Sequence, residues 1–208
     1  MKKLFIIIGC MQIGLTTMAQ ELAGRYQLTG IHEMAAGFQL NADSSFRFFY
    51  SYGAVDREAG GTWHREGDTI RLQASKVPGN DFKILKKSTQ PGNINIHIKD
   101  ANSYLAQTVR CMVVTSKASY WVQAAATASI SIAEQQPCQL YLQHQLYPDV
   151  ASLLKDTADA NNYFEVALLP SLQQVSFKGI VLIIQNDTLH MPANYLIDHP
   201  NIRFVKQQ

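Results

Sequence analysis

The chain has 208 residues, 47% hydrophobic and 16% charged, with eighteen Lys plus Arg against sixteen Asp plus Glu. That length suits one large domain or two small ones. A formal charge of +2 with no basic tract lacks the electrostatic footprint of a nucleic-acid binder and gives no basis for docking on anionic lipid.

Met1-Lys2-Lys3 is a short positive start, Leu4 to Leu15 an apolar core with small interruptions, and Thr17 and Ala19 a small-x-small pair. This is the pattern of a cleavable signal peptide over residues 1–19, cut between Ala19 and Gln20. The apolar run falls short of the roughly 20 residues of a membrane span, so no stable membrane insertion is expected after cleavage. Ile7-Ile8-Gly9-Cys10 loosely matches the motif before a lipidated cysteine but leaves too short a signal. Loss of Lys2 and Lys3 brings the mature chain to sixteen basic against sixteen acidic residues. The expected location is the periplasm or the cell exterior.

Residues 22–88 read as short antiparallel strands. Phe46, Phe48, Tyr50 and Tyr52 alternate with Arg47, Phe49, Ser51 and Gly53, the period of a half-buried strand. Asn41-Ala42-Asp43-Ser44 and Glu66-Gly67-Asp68 are turn clusters, Gly61-Thr62-Trp63 opens one strand, Thr69 to Gln73 forms another, and Phe82 and Ile84 mark one more. In residues 92–147, Ile94, Ile96 and Ile98 share a face, as do Val109, Cys111 and Val113, and Cys138, Leu140 and Leu142. Leu105 to Thr115 contains a long strand through Val109, Cys111 and Val113 after a turn at Asp100–Ser103, and Gln123–Ser129 is too short and poorly capped for a helix. Behind Asp149, a candidate N-cap, Val150, Leu153 and Leu154 fit a short helix, with an extended segment as the rival. Tyr163 to Leu169, Val175 to Phe177, Gly179 to Ile184 and Asn201 to Lys206 supply the last strands, with a turn at Asn186-Asp187.

The fold class is therefore all-β: an antiparallel barrel-like meander closed by C-terminal strands, with an inserted β-sandwich. The expected boundaries are 1–19 for the signal, 20–90 plus 171–208 for the barrel, and 91–170 for the insert. Closing the first sheet with the last strands removes open edges. Cys111 and Cys138 both point into apolar interior, which suits either a disulfide in an oxidising compartment or two buried thiols.

Gly92 to Asp100, Ala128 to Ile132 and Tyr141 to Pro148 carry a resemblance to carboxypeptidase-regulatory-like and transthyretin-like β-sandwiches over about residues 91–170. Gly24-Arg25-Tyr26, Phe38-Gln39-Leu40, Gly61-Thr62-Trp63 and Gly67 to Ile70 resemble lipocalin-like bacterial barrels, although Gly-Thr-Trp here lies on a later strand. The first resemblance implies a non-catalytic domain that packs on a neighbour or presents loops to a partner. The second implies the barrel fold alone.

No catalytic motif is legible. Gly-x-Ser-x-Gly and HExxH patterns are absent, so no catalytic residue, metal ligand or cofactor is assigned and the chain is not read as an enzyme. His97 and His144 are read as structural or exposed. His32-Glu33 and His64-Arg65-Glu66 are discounted because neighbouring strand residues point to opposite faces. Asp56-Arg57-Glu58 is read as a solvated charge cluster. The aromatic group Tyr50, Tyr52 and Trp63 is the candidate ligand-binding set, weighed against plain core packing. Of Tyr120 and Trp121, one is expected on the sandwich surface.

The leading expectation is an exported, non-catalytic cell-envelope protein that binds a protein or glycan partner. A lipocalin-like binder of a small apolar ligand is the alternative, and a hydrolase the third. Amino-terminal sequencing of the exported protein should read from Gln20; a mature chain retaining residues 1–19 overturns the export reading.

Overall fold

The computed structural model describes residues 21–134 and 137–208. The signal segment read at residues 1–19 lies outside the described residues. The chain divides into two compact units, one ending at Ser75 and resuming at Phe177, the other running from Lys76 to Ser176.

The first unit holds strands β1 (Gly24–Thr29), β2 (Met34–Leu40), β3 (Ser45–Tyr52), β4 (Val55–Glu66) and β5 (Thr69–Ala74). The second holds β6 (Phe82–Ser88), β7 (Ile94–Ile98), the short helix α1 (Ser103–Gln107), β8 (Val109–Val114), β9 (Ser119–Gln123), β10 (Ser129–Ile132), β11 (Gln139–His144), β12 (Ser152–Lys155) and β13 (Tyr163–Leu168). The chain then returns to the first unit with β14 (Val181–Gln185), β15 (Thr188–Met191) and β16 (Ile202–Lys206).

The first unit is a closed antiparallel barrel in the order β1-β16-β15-β14-β5-β4-β3-β2. Each strand pairs with the next in the unit's own sequence, and β16 closes on β1 with Leu28 opposite Phe204. The turns follow the local chemistry. Asn186, with φ of 53°, and Asp187 link Gln185 to its partner Thr188, and a two-residue hairpin with a left-handed first residue is what Asn tolerates.

Alternation fills the barrel. Phe46, Phe48 and Tyr50 of β3 are buried, while Arg47 and Phe49 between them face out. Phe38 meets Phe48 at 4.7 Å and Phe204 at 4.8 Å between ring centroids, and Phe177 meets Phe48 at 5.0 Å and Phe46 at 5.9 Å. Phe177 holds this place with φ of 55°, a backbone region costly for a bulky residue. Burial of its ring, 1% exposed, offsets that strain.

The second unit packs two four-stranded sheets, β10-β7-β13-β6 and β12-β11-β8-β9. Their inner faces form one core that includes Ile94, Ile96, Ile130, Phe164 and Val166 from the first sheet and Val109, Cys111, Val113, Leu140 and Leu142 from the second. β7 and β13 pair in parallel, with Phe164 opposite Ile96.

Several details differ from the sequence reading. The units part at Ser75/Lys76 and Ser176/Phe177 instead of 90/91 and 170/171, because β6 pairs with β13 of the sandwich and not with a barrel strand. Of the two readings of the segment behind Asp149, the extended one holds over residues 152–155 and the short helix does not form. Asn102 caps α1, its side chain accepting from the Tyr104 and Leu105 amides, so a helical turn not expected from the sequence precedes the strand through Val109, Cys111 and Val113. Val175 to Phe177 is not a strand.

Phe177→Ala should lower barrel stability by about 3–5 kcal/mol, because the buried ring is lost while the left-handed backbone, strained by any Cβ, is kept. Chemical denaturation checks this; an unchanged midpoint would show that the ring is dispensable.

Candidate functional site

The aromatic residues singled out from the sequence do not converge. Tyr50 and Trp63 are buried, whereas Tyr52, opposite Val55 at the β3–β4 hairpin, is 47% exposed. Trp63 sits at the other end of the same ladder, where its backbone amide donates to Ser44 O at 2.8 Å and its Nε1 to Asn41 O at 3.1 Å. Tyr50 instead faces Arg57 across β3 and β4, and both are buried. Burial pushes the Tyr50 phenol up, against the pull of the Arg57 charge. Asp56 and Glu58 face solvent as a charged cluster should, but Arg57 between them points inward.

His64 and Glu66 do meet. They stand two residues apart on one face of β4, with Nε2 and Oε1 3.0 Å apart, which corrects the reading that this stretch cannot form a pair. Both side chains are exposed, and Arg71 also bonds Glu66. Its hydrogen bonds from Arg71 first and His64 second hold Glu66 below the usual carboxylate range.

His144 is buried. Its Nδ1 accepts from the Leu146 amide at 3.2 Å, leaving Nε2–H to donate toward Leu105 O at 3.0 Å and Thr108 Oγ1 at 2.8 Å. His97 lies on the outer face of β7, with its ring 5.3 Å from that of Tyr163.

Cys111 and Cys138 are both free and buried. Cys111 faces Leu142 across β8 and β11, and Cys138 lies four residues before Leu142. At about 3.3 Å per residue the two positions stand some 13 Å apart along the strand, beyond the roughly 7 Å a disulfide spans between Cα atoms. Burial pushes the Cys111 thiol up to about 12. Among the described residues no group of three or more His, Cys, Asp or Glu could hold a metal ion.

A concave feature of the barrel lies on its outside. A groove of about 770 Å³ is lined by side chains of β1 to β4 and by the tail after β16. Two cross-strand rows build it. Gln27, Gly37, Phe49 and Glu58 form the first, and Arg25, Gln39, Arg47 and Gly60 the second. Gly37 makes the depression, because a Cβ there would meet the Phe49 ring at 2.6 Å and Tyr26 O at 2.9 Å. The Phe49 ring therefore lies over the glycine while remaining 51% exposed. Arg25 Nε donates to Gln39 Oε1 at 3.0 Å, and Gln39 Nε2 donates to Asn41 Oδ1 at 3.3 Å. The floor is thus one aromatic ring, with two guanidinium groups, a carboxylate and several amides around it. Sequence alternation pointed to the inward rings of β3 and passed over Phe49. An aromatic residue at an outward position was the signal available.

A second polar cluster is deeply buried in the sandwich unit. Lys76 Nζ pairs with Asp81 at 2.8 Å and Asp149 at 2.9 Å, and donates to Gln174 O at 2.9 Å. Asp149 also accepts from the Ser176 amide at 2.9 Å, Ser176 Oγ at 2.5 Å and the Val150 amide at 2.8 Å. The Lys76 and Asp149 side chains are 1% and 0% exposed. Asp149 is therefore not a helix cap but the hub that ties the first residue of this unit to its last.

No family model, curated protein or solved structure matches the chain.

Removing Lys76 strands two carboxylates away from water, so Lys76→Met should cost about 3–5 kcal/mol. Desolvation, the largest influence on Asp149, acts to raise its pKa; Ser176, Lys76 and the Val150 amide outweigh it and hold the carboxyl below the usual range. A depressed carboxylate contributes stability above its unfolded value of about 3.9 and loses it as pH falls through the folded value. Sandwich stability, followed by denaturation at stepped pH, should fall below about pH 4, and Asp149→Asn should remove that part of the slope. An unaltered acid limb in Asp149→Asn would contradict this assignment.

Proposed function

We propose that this is an exported, non-catalytic cell-envelope protein that holds a partner on its outer surface, and that the barrel groove takes a segment of another protein. The observation that carries this reading is the pairing of an exposed Phe49 with charges of both signs, Arg25, Arg47 and Glu58, in one concave patch. Aromatic anchors flanked by charge suit protein recognition, in which the ring supplies affinity and the charges set orientation and encounter rate. The signal pattern at residues 1–19 supports export, and the sandwich-like middle segment is in keeping with an accessory domain.

Two other readings have less behind them. The rings meeting across the barrel axis occupy the space that a lipocalin-like ligand would need. A hydrolase would need converging acid and base groups in a cleft, and the groove is lined by no histidine.

A photo-crosslinking residue at Gln27 should give a dominant adduct with one envelope protein in intact cells, with little at a control position, Arg203 on β16. The adduct should weaken at high salt and fall by about tenfold in the Arg47→Ala, Phe49→Ala double variant. Equal adducts at both positions, or an adduct indifferent to the double variant, would rule the groove out.

A further inference from the structure

The outer face of the β12-β11-β8-β9 sheet carries a row that crosses all four strands in register: Leu153, Tyr141, Met112 and Trp121. Leu153 is 54% and Trp121 41% exposed, and Tyr141 and Met112 are half-buried between them. Tyr120 is 41% exposed as well, because β9 is an edge strand, but its neighbour across the ladder is the inward-facing Val113. Trp121 is thus the ring that belongs to the outer face.

The adjoining row is polar and uncharged except at its centre: Gln143, Arg110 and Gln123. It also holds the tryptophan in place. The Arg110 guanidinium lies 4.0 Å from the centroid of the Trp121 ring and donates through Nε and Nη2 to Gln143 Oε1 at 3.2 and 2.6 Å. Gln143 Nε2 in turn donates to Asp149 O at 2.6 Å. Tyr141 lies along its own strand, its hydroxyl donating to Gln139 Oε1 at 3.3 Å. Both rings are fixed before any ligand arrives, which lowers the ordering cost of binding.

We infer that this face is a binding platform for an extended neutral glycan, laid across the strands with sugar rings on Trp121 and Tyr141 and hydroxyl groups toward Gln143, Arg110 and Gln123. Three features of the face select that ligand. Trp121 and Tyr141 sit two strands apart, about 9.6 Å, close to the repeat of two sugars in an extended β-linked chain. The exposed and half-buried residues of β8, β9, β11 and β12 include no carboxylate, and their one cation, Arg110, is engaged by Gln143 and Trp121; Lys155 of β12 is buried. Neither a polyanion nor a charged peptide therefore meets a complementary field here. Side-chain amides beside an aromatic row supply donors and acceptors together, as hydroxyl-rich ligands require. This inference rests on a different surface from the barrel groove and survives failure of the groove.

The test uses residues 20–208, with soluble hexasaccharides of β-1,4-linked glucose and β-1,4-linked N-acetylglucosamine as probes and polygalacturonate as the anionic comparator. The chain has two tryptophans, so Trp63→Phe leaves Trp121 as the reporter. The difference between wild type and Trp121→Phe serves if Trp63→Phe does not fold. At least one neutral hexasaccharide should give a saturable change in Trp121 emission and polygalacturonate none. Trp121→Ala and Tyr141→Ala, checked for unchanged circular dichroism and titrated by calorimetry, which needs no tryptophan, should each weaken binding by about tenfold, and Phe49→Ala should leave it unchanged. The inference is overturned by emission that stays flat with both hexasaccharides, or by binding that survives both variants. It is equally overturned by a concentration-dependent dimer in sedimentation that Trp121→Ala abolishes, which would assign the face to a second copy of the chain.

Discussion

The architecture depends on a buried ion cluster at the place where the insert begins and ends. Strands β5 and β14 are antiparallel neighbours in the barrel, with Ile70 opposite Leu182. A chain of about a hundred residues leaves after one and returns before the other. An insert whose ends stood apart would pull those strands out of register. Lys76 and Ser176 both bond Asp149, so the ends of the insert are held together from within its own unit. Loop-closure entropy grows slowly with length, but only a pre-closed loop removes the strain. Burying three charges is expensive and contributes little net stability by itself. Its return here is geometric specificity.

The same division separates two kinds of surface. The barrel's outer face mixes Arg25, Arg47 and Glu58 around Phe49, whereas the β12-β11-β8-β9 face is nearly free of charge. Partners that would be attracted to one have little reason to prefer the other. Both faces come from strand alternation: a half-buried strand has to put something outward, and in these sheets some of those residues are aromatic.

Much of the fold was legible because period-two patterns are local. Phe46 to Tyr50, Ile94 to Ile98 and Cys138 to Leu142 each declare an inner face without knowledge of their neighbours. Partner choice is not local: position along the chain places β6 with the barrel strands, and nothing in its own residues points to its pairing with β13. Asp149 shows the same limit. A carboxylate before apolar residues reads as a helix cap when the lysine that neutralises it is far away in sequence. The candidate surfaces were less visible still. Rows such as Gln27-Gly37-Phe49-Glu58 exist only once register is set, and the sequence draws attention to Tyr50 and Trp63, which fold into the interior.

With Lys76 to Ser176 set aside, the remaining eight strands run in simple up-and-down order, each beside its successor, until the last meets the first. The sandwich therefore occupies the position of an ordinary hairpin turn. The interruption falls between two strands that are already antiparallel neighbours, so every rung of the barrel ladder is made by residues outside the insert.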